Sequence, residues 1–276
     1  MPSEDKLLEN LGALCNMVRR IALEAGEITL KYLDDIEAMN VDTKNDDSPV
    51  TLADREAEMY IQMSLEKITP NIPMVGEESV ALGRAPALDG AEYFWLVDPL
   101  DGTKEFIAGG GDYTVNIALI HKGTPIMGVV YAPAKGVLYA GYGEQAVKWS
   151  EDSDKDKPIS VRPIPRTGLV VVASKSHGSA EKLDKFLEGF KVEKLVKRGS
   201  SLKICAIAEG RADIYPRFGP TCEWDTAAGH AVLKAAGGFL TKECGTELCY
   251  GGANPKFLNP EFIASSFAWF DEEDAA

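Results

Sequence analysis

Residues 97–106 read VDPLDGTKEF, with two aspartates three positions apart, a proline after the first, and a glycine and a threonine after the second. Ahead of them Tyr93-Phe94-Trp95-Leu96-Val97 is aromatic or aliphatic throughout, which reads as a buried strand ending on Asp98. Pro99 donates nothing to a strand ladder and biases Asp98 towards an extended backbone. Gly102 permits a tight turn, with Thr103 expected as the N-cap of a short helix starting at Lys104. Asp98, Asp101 and Thr103 therefore converge at one strand end.

Other acids also stand where elements start or stop: Asp54 in PVTLAD, Glu77 and Glu78 in VGEES, and Asp225 in CEWDTAAGH. Each has a bland reading alone. Asp225 caps the helix that follows, Asp54 is an early-helix acid, the glutamates form an acidic loop, and DPLDG is only a turn. Together they ask for more. Two carboxylates about 4 Å apart repel by roughly 4 kcal/mol at an effective dielectric of about 20, so a cluster persists only if protons or cations hold it. Oxygen donors select Mg²⁺, Mn²⁺ or Ca²⁺ over zinc, and His121, His177 and His230 are the only histidines in the chain. Magnesium is the favoured cation. Two such ions about 3.5–4 Å apart activate water and stabilise the leaving oxygen of a phosphate ester, which makes phosphate hydrolysis the natural chemistry.

The 276-residue chain, 45% apolar and 26% charged, is long enough for a large core in one domain or two packed lobes. Its net charge of −14 disfavours nucleic-acid polymers as partners. A small anion stays compatible where clustered cations or bound metal neutralise it. Five cysteines without a Cys-x-x-Cys pair argue against a disulfide framework or a zinc knuckle. The charged N-terminal segment and the lack of an apolar run of about 20 residues indicate neither a signal peptide nor a membrane helix, so a cytoplasmic protein is expected.

Apolar spacing predicts a long amphipathic helix over residues 6–34 and another over 51–67, with a polar loop at 42–50. The β-rich runs 113–120, 126–131 and 137–142 point to an antiparallel sheet. The charged stretch 151–157 reads as a surface loop and lobe boundary, giving lobes 1–150 and 151–276. Beyond it, strands at 169–173, 192–196 and 212–215 alternate with helices at 179–190, 200–208 and 224–236, the last closed by Gly237-Gly238. The fold class is α/β, in layers.

DPLDGT after a hydrophobic strand, GEES upstream of it and WDTAAGHAVLKAAGG near the C-terminus resemble, in that order and over nearly the whole chain, the inositol monophosphatase superfamily of Mg²⁺-dependent, lithium-sensitive phosphatases. The resemblance implies the layered αβαβα sandwich shared with fructose-1,6-bisphosphatases. It implies that Glu77, Asp98, Asp101 and the Leu100 carbonyl are metal ligands, with Asp225 the distal ligand, for two or three Mg²⁺ per site. Asp54 and Thr103 match the residues that position and activate the attacking water. The phosphate would rest on the metals and on the backbone N–H groups of Gly102 and Thr103. Attack would be in line, without a phosphoenzyme. Relatives occur as monomers and dimers, and some associate with the inner face of the bacterial inner membrane.

The segment KRGSSLKICAIAEGRADIYPRFGPTCEWDTAAGHAV resembles the 3'(2'),5'-bisphosphate nucleotidase branch more than the inositol phosphatases. Inositol-specific relatives tend to place an acid before the Gly that leads to Trp-Asp, whereas Tyr215-Pro216-Arg217 stands here. Arg217 cannot accept hydrogen bonds but can fork onto a phosphate, and Lys203, with Ser200 and Ser201, adds a second cation. The bland reading of both cations is that they are solvated or pair with surface acids. Lys104 and the Gly109-Gly110-Gly111 loop are further candidates for the pocket border. The expected activity is removal of the 3'-phosphate of adenosine 3',5'-bisphosphate, and of its 5'-phosphosulfate relative, in sulfur assimilation. The alternatives are an inositol-1-phosphate or broad sugar-phosphate phosphatase and a non-catalytic metal- or nucleotide-binding regulator.

Overall fold

The computed structural model describes residues 3–33, 42–43, 49–174, 180–252, 254 and 256–270. The expected helix end at residue 34, the middle of the 42–50 loop and the helix start at residue 179 lie outside them. Among the described residues the order is α1 (Glu4–Glu9), α2 (Leu11–Leu33), β1 (Asp42–Thr43), β2 (Pro49–Val50), α3 (Leu52–Ile68), β3 (Met74–Gly76), α4 (Glu77–Ala81), β4 (Tyr93–Asp101), α5 (Thr103–Ile107), β5 (Thr114–His121), β6 (Thr124–Ala132), β7 (Val137–Tyr142), β8 (Gln145–Ser150), β9 (Lys155–Pro158), β10 (Leu169–Ser174), α6 (Ala180–Leu187), β11 (Val192–Arg198), α7 (Leu202–Ala208), β12 (Ile214–Arg217), α8 (Glu223–Ala235), β13 (Phe239–Lys242) and β14 (Phe262–Ser265).

Strand alternation explains the layering. On the seven-stranded sheet, ordered β3-β4-β5-β6-β7-β8-β9, Trp95, Val97, Ile117, Val129 and Leu138 face one side, and Phe94, Leu96, Ala118, Val130 and Tyr139 face the other. The first side is covered by α2 and α3, whose apolar stripes (Leu14, Val18, Ile21, Ala25; Ala57, Ile61, Leu65) recur at helical spacing. The second side is covered by α7 and α8, which also pack on the five-stranded sheet β11-β10-β12-β14-β13 through Val172, Leu240 and Ala264. The far face of that sheet, Leu169, Val171, Ile214 and Ile263, packs on Phe186 and Leu187 of α6. Helix, sheet, helix, sheet and helix thus stack as the expected αβαβα sandwich.

Two glycines set how closely α8 lies on the first sheet. A Cβ at Gly128 would stand 2.3 Å from the Ala228 carbonyl oxygen, and one at Gly141 would stand 2.6 Å from Val232 Cα. Only glycine admits this approach of helix to strand backbone.

Several boundaries differ from expectation. The first long helix breaks at Asn10, whose Oδ1 accepts the Ala13 N–H at 3.0 Å and so starts a second helix. The central strand does not end on Asp98 but runs to Asp101. Asp98 pairs with Asn116 and Asp101 with Thr114, so three steps on β4 oppose two on β5, and a bulge absorbs Pro99. The N-cap of α5 is Gly102, left-handed at φ 102°, and Thr103 is its first residue. The 151–157 stretch begins as an exposed turn, but β9 then extends the first sheet to Pro158, so the expected lobe boundary falls inside the β8–β9 hairpin. The short strands β13 and β14 carried no separate sequence signal. None of the five cysteines is joined in a disulfide. No helix among the described residues is long and apolar enough to cross a membrane.

Candidate active site

The β4 bulge decides where the two central acids point. In a regular strand residues three apart face opposite sides; one extra residue in between brings both to one side. Asp98 and Asp101 accordingly share a cavity of about 310 Å³. Glu77 enters it from the start of α4, Leu100 from the bulge, and Gly102, Thr103 and the exposed Lys104 from the start of α5. Ser200, Ser201 and Lys203 enter from the α7 end, Arg217 from β12 and Asp225 from α8. Of the sequence candidates, Asp54 lies behind this wall, where its Oδ1 accepts the Thr103 hydroxyl at 3.2 Å. Glu78 is buried outside it. Gly109-Gly110-Gly111 does not line the cavity; it ends α5, with Gly110 N–H donating to the Glu105 carbonyl at 2.7 Å.

Helix starts supply two of the acids. Asp54 and Asp225 are the third residues of α3 and α8, and each closes a capping box with its N-cap residue. The early-helix reading of both was correct, and it is compatible with a place at the site.

The electrostatics are those of crowded, buried anions. Burial first, then Glu77, Asp101 and Asp225, pushes the Asp98 carboxyl well above the usual range. Burial, then Asp101 and Glu77, does the same to Asp225. Asp101 is raised by burial and pulled back by Lys203 and Ser201. Among the described residues no three acid, histidine or cysteine side chains form a ready-made cage for one ion; the acids line a pocket instead. The donor set nevertheless fits a hard divalent cation. It is all oxygen, Asp98 is buried and Glu77, Asp101 and Asp225 are half-buried, and added positive charge would offset the burial and mutual repulsion that raise the carboxyls of Asp98, Asp101 and Asp225.

Besides the exposed Lys104, two cations withdrawn from solvent share the cavity with the acids. Arg217, only 7% exposed, donates through Nη2 to the Pro220 carbonyl at 2.8 Å and through Nε to the Gly219 carbonyl at 3.3 Å. Lys203 Nζ donates to the Ser200 carbonyl at 2.6 Å and sits 5.5 Å from the Tyr215 ring centroid. Burial lowers the Lys203 pKa, opposed by Asp101 and assisted by Arg217. Neither is a solvated surface charge.

Two supporting residues escaped the sequence reading. Glu58 is 4% exposed and accepts the N–H groups of Glu78 and Ser79, both at 2.7 Å, and the Ser79 hydroxyl at 2.6 Å. It thereby anchors the first turn of α4, which carries Glu77. Its approach explains Gly76, where a Cβ would stand 2.5 Å from the Glu58 carboxyl carbon. The available signal was an acid four residues after Asp54 in the buried stripe of α3. Asn116, opposite Asp98, donates to Ser201 Oγ at 3.0 Å, and that oxygen lies 3.0 Å from Asp101 Oδ2 and 2.7 Å from the Asp225 carbonyl. A polar side chain inside the run Val115-Asn116-Ile117 was its signal.

A family model described as the inositol monophosphatase family matches residues 13–270. The chain is 44% identical over 257 residues to the 3'(2'),5'-bisphosphate nucleotidase CysQ of Escherichia coli strain K12, covering 92% of this chain and 100% of that protein. It is 42% identical to the protein of the same name from Buchnera aphidicola, over 92% of this chain and 94% of that one. The solved structure of CysQ from Bacteroides thetaiotaomicron, described as a bacterial member of the inositol monophosphatase family, superposes with a TM-score of 0.77 at 36% identity, covering 92% of this chain and 98% of that one.

Proposed function

The chain belongs to the inositol monophosphatase family, and from that premise we propose that it removes the 3'-phosphate of adenosine 3',5'-bisphosphate, giving AMP and inorganic phosphate, as a step of sulfur assimilation. Members of the family are Mg²⁺-dependent phosphatases. Glu77, Asp98, Asp101, Asp225 and the Leu100 carbonyl would hold two or three Mg²⁺. Bound there, the ions supply positive charge to the phosphoryl oxygens and to the leaving oxygen.

The chain's own residues do the rest. Thr103 Oγ1 donates to Asp54 Oδ1, which turns a lone pair of the hydroxyl towards an attacking water. As the water oxygen bonds to phosphorus and the bond from phosphorus to the ribose 3'-oxygen breaks in line with it, the water proton passes to Thr103 and the threonine proton to Asp54, while the departing 3'-oxygen takes a proton from solvent and leaves as the 3'-hydroxyl of AMP. The Gly102 and Thr103 N–H groups at the start of α5 receive the phosphoryl oxygens. Lys203 and Arg217 hold the second, uncleaved phosphate, with Ser200, Ser201 and Lys104 around it. The 5'-phosphosulfate of the same nucleotide presents a similar anion to these cations and is a second substrate on this reading, met in the cytoplasm.

One observation carries the choice of a bisphosphate: the buried Arg217 and the half-buried Lys203 lie in the same cavity as the acids. The experiment is phosphate release from adenosine 3',5'-bisphosphate and from inositol-1-phosphate, side by side, with Mg²⁺ and with a chelator. Magnesium-dependent cleavage of the nucleotide, with little of the inositol ester, is expected. The reverse preference would make the chain an inositol or sugar-phosphate phosphatase. Full activity in an Asp98→Asn variant would leave the acids a non-catalytic role.

A further inference from the structure

We propose that a second cavity, separate from the acids, binds a small organic phosphate. It measures about 410 Å³, and four cations line it: Arg162, Lys194, Arg198 and Arg211. In a chain of net charge −14 such a grouping is not a product of composition. Two of the four are already matched. Arg162 donates from Nε and Nη2 to the two oxygens of Asp213 at 2.8 and 2.7 Å, and Arg211 Nε stands 3.5 Å from Glu209, which also takes Lys148 at 2.6 Å. Lys194 and Arg198 have no carboxylate partner among the described residues. The uncompensated charge of the cavity is therefore theirs.

Strand register places them. β10 and β11 are parallel, with Val170 opposite Lys194, Val172 opposite Val196, and Ser174 opposite Arg198, so all six project from one face. α7 packs on this face over β10, β12 and β14, while the edge strand β11 keeps Lys194 exposed. The result is a groove with a floor of Val170, Val172 and Val196 and cations on its rim. Its volume is in the range of small-ligand pockets, about 300–1,000 Å³. An apolar body on the valines and a phosphate between Lys194 and the Arg198 fork satisfies both surfaces. Inorganic phosphate alone would leave the floor unused.

The groove adjoins the candidate active site. Ser174 lines that cavity and pairs with Arg198, and α7 reaches it with Lys203 and the groove with Ala206. A test must therefore resolve the two places. The proposal stands independently of the phosphatase reading, since neither Lys194 nor Arg198 lines that site.

The test is an amide-resolved NMR titration of the isotope-labelled full chain, in chelator, with AMP and separately with inorganic phosphate as probes. Saturable shifts at Val172, Val196 and Ala206 are expected with AMP, at a dissociation constant about tenfold or more below that for phosphate. A Lys194→Glu/Arg198→Glu variant should lose this response while keeping the shifts at Thr103 and Ser201 and the basal turnover. Lys194→Gln, a milder change on an exposed edge strand, should weaken it by severalfold. The absence of saturable groove shifts, equal affinity for AMP and phosphate, or a response unchanged in both variants would overturn the proposal.

Discussion

Asp54 and Asp225 hold the same position in two different helices: each is the third residue, and each accepts through Oδ2 the backbone N–H of its N-cap, Thr51 at 2.8 Å and Cys222 at 2.9 Å. One carboxylate oxygen is thus fixed by the helix it starts. In Asp54 the other oxygen takes the Thr103 hydroxyl, so a local helix signal orients a group that belongs to the site.

This division of labour separates stability from catalysis. Asp54→Asn keeps a carbonyl oxygen for the cap but cannot take a proton, so kcat should fall by about 10²–10⁴-fold with little change in melting temperature. Asp54→Ala should lose the cap as well, costing about 1 kcal/mol of stability. Steady-state kinetics and thermal unfolding of both variants check this; a near-normal kcat in Asp54→Asn would remove Asp54 from the mechanism.

Glu58 acts at one remove, through the α4 turn that presents Glu77. Glu58→Gln would point an amide N–H₂ at N–H donors, and Gly76→Ala would force the two groups apart. Each should weaken Mg²⁺ binding by about 10–100-fold, as loss of an outer-shell support does. Calorimetric titration of Mg²⁺ reads this directly, and unchanged affinity in both variants would make Glu58 a purely structural acid.

Lys203→Met keeps an apolar stem over Tyr215 and removes the charge. The KM for adenosine 3',5'-bisphosphate should rise by about tenfold or more, the scale of a lost charged hydrogen bond, while turnover of a monophosphate ester changes little. Equal losses on both substrates would mean that Lys203 serves the cleaved phosphate.

Gly128→Ala places a methyl group against the backbone of α8. Overpacking of this kind costs about 1–3 kcal/mol, and urea unfolding should show at least that. A stable variant with ordinary unfolding would mean that α8 can lift off the sheet without penalty.

The His230 pair gives the fold an acid-sensitive element. His230 is buried, with Nδ1 3.0 Å from the Tyr250 hydroxyl and Nε2 3.3 Å from Glu247. Burial lowers its pKa, so the unfolded chain takes the proton first, at about pH 6.5. Its stabilising effect is complete above that pH and fades as pH falls towards the folded value. Glu247, held down to about 2 chiefly by its hydrogen bond with His230, acts in the same direction below the ordinary glutamate range. Unfolding free energies measured from pH 7 downwards should decline less steeply in His230→Gln than in the parent chain; parallel slopes would exclude the histidine as a source.

Asp98 and Asp101 were legible because charge interrupts an apolar strand at its end, and a strand end is where such side chains can meet. The layers were legible because period-2 and period-3.6 stripes need opposite faces to bury. The bulge was not, since a single extra residue leaves the pattern of residue types unchanged and appears only in the pairing with Asn116 and Thr114. β9 (Lys155–Pro158) read as a loop because an exposed edge strand is made of loop-like residues. Glu58 and Asn116 act through contacts distant in the chain, which no local window contains.

α8 carries Asp225 at one end and then runs along the glycine track of β6 and β7. If the backbone were severed in the exposed turn at residues 151–154, the first fragment would retain Glu77, Asp98, Asp101 and Thr103 beside an empty trough, and the second would hold a helix covered on one side only. Neither fragment has a complete interior of its own. The two are halves of one object, expected to regain activity by reassembling with each other.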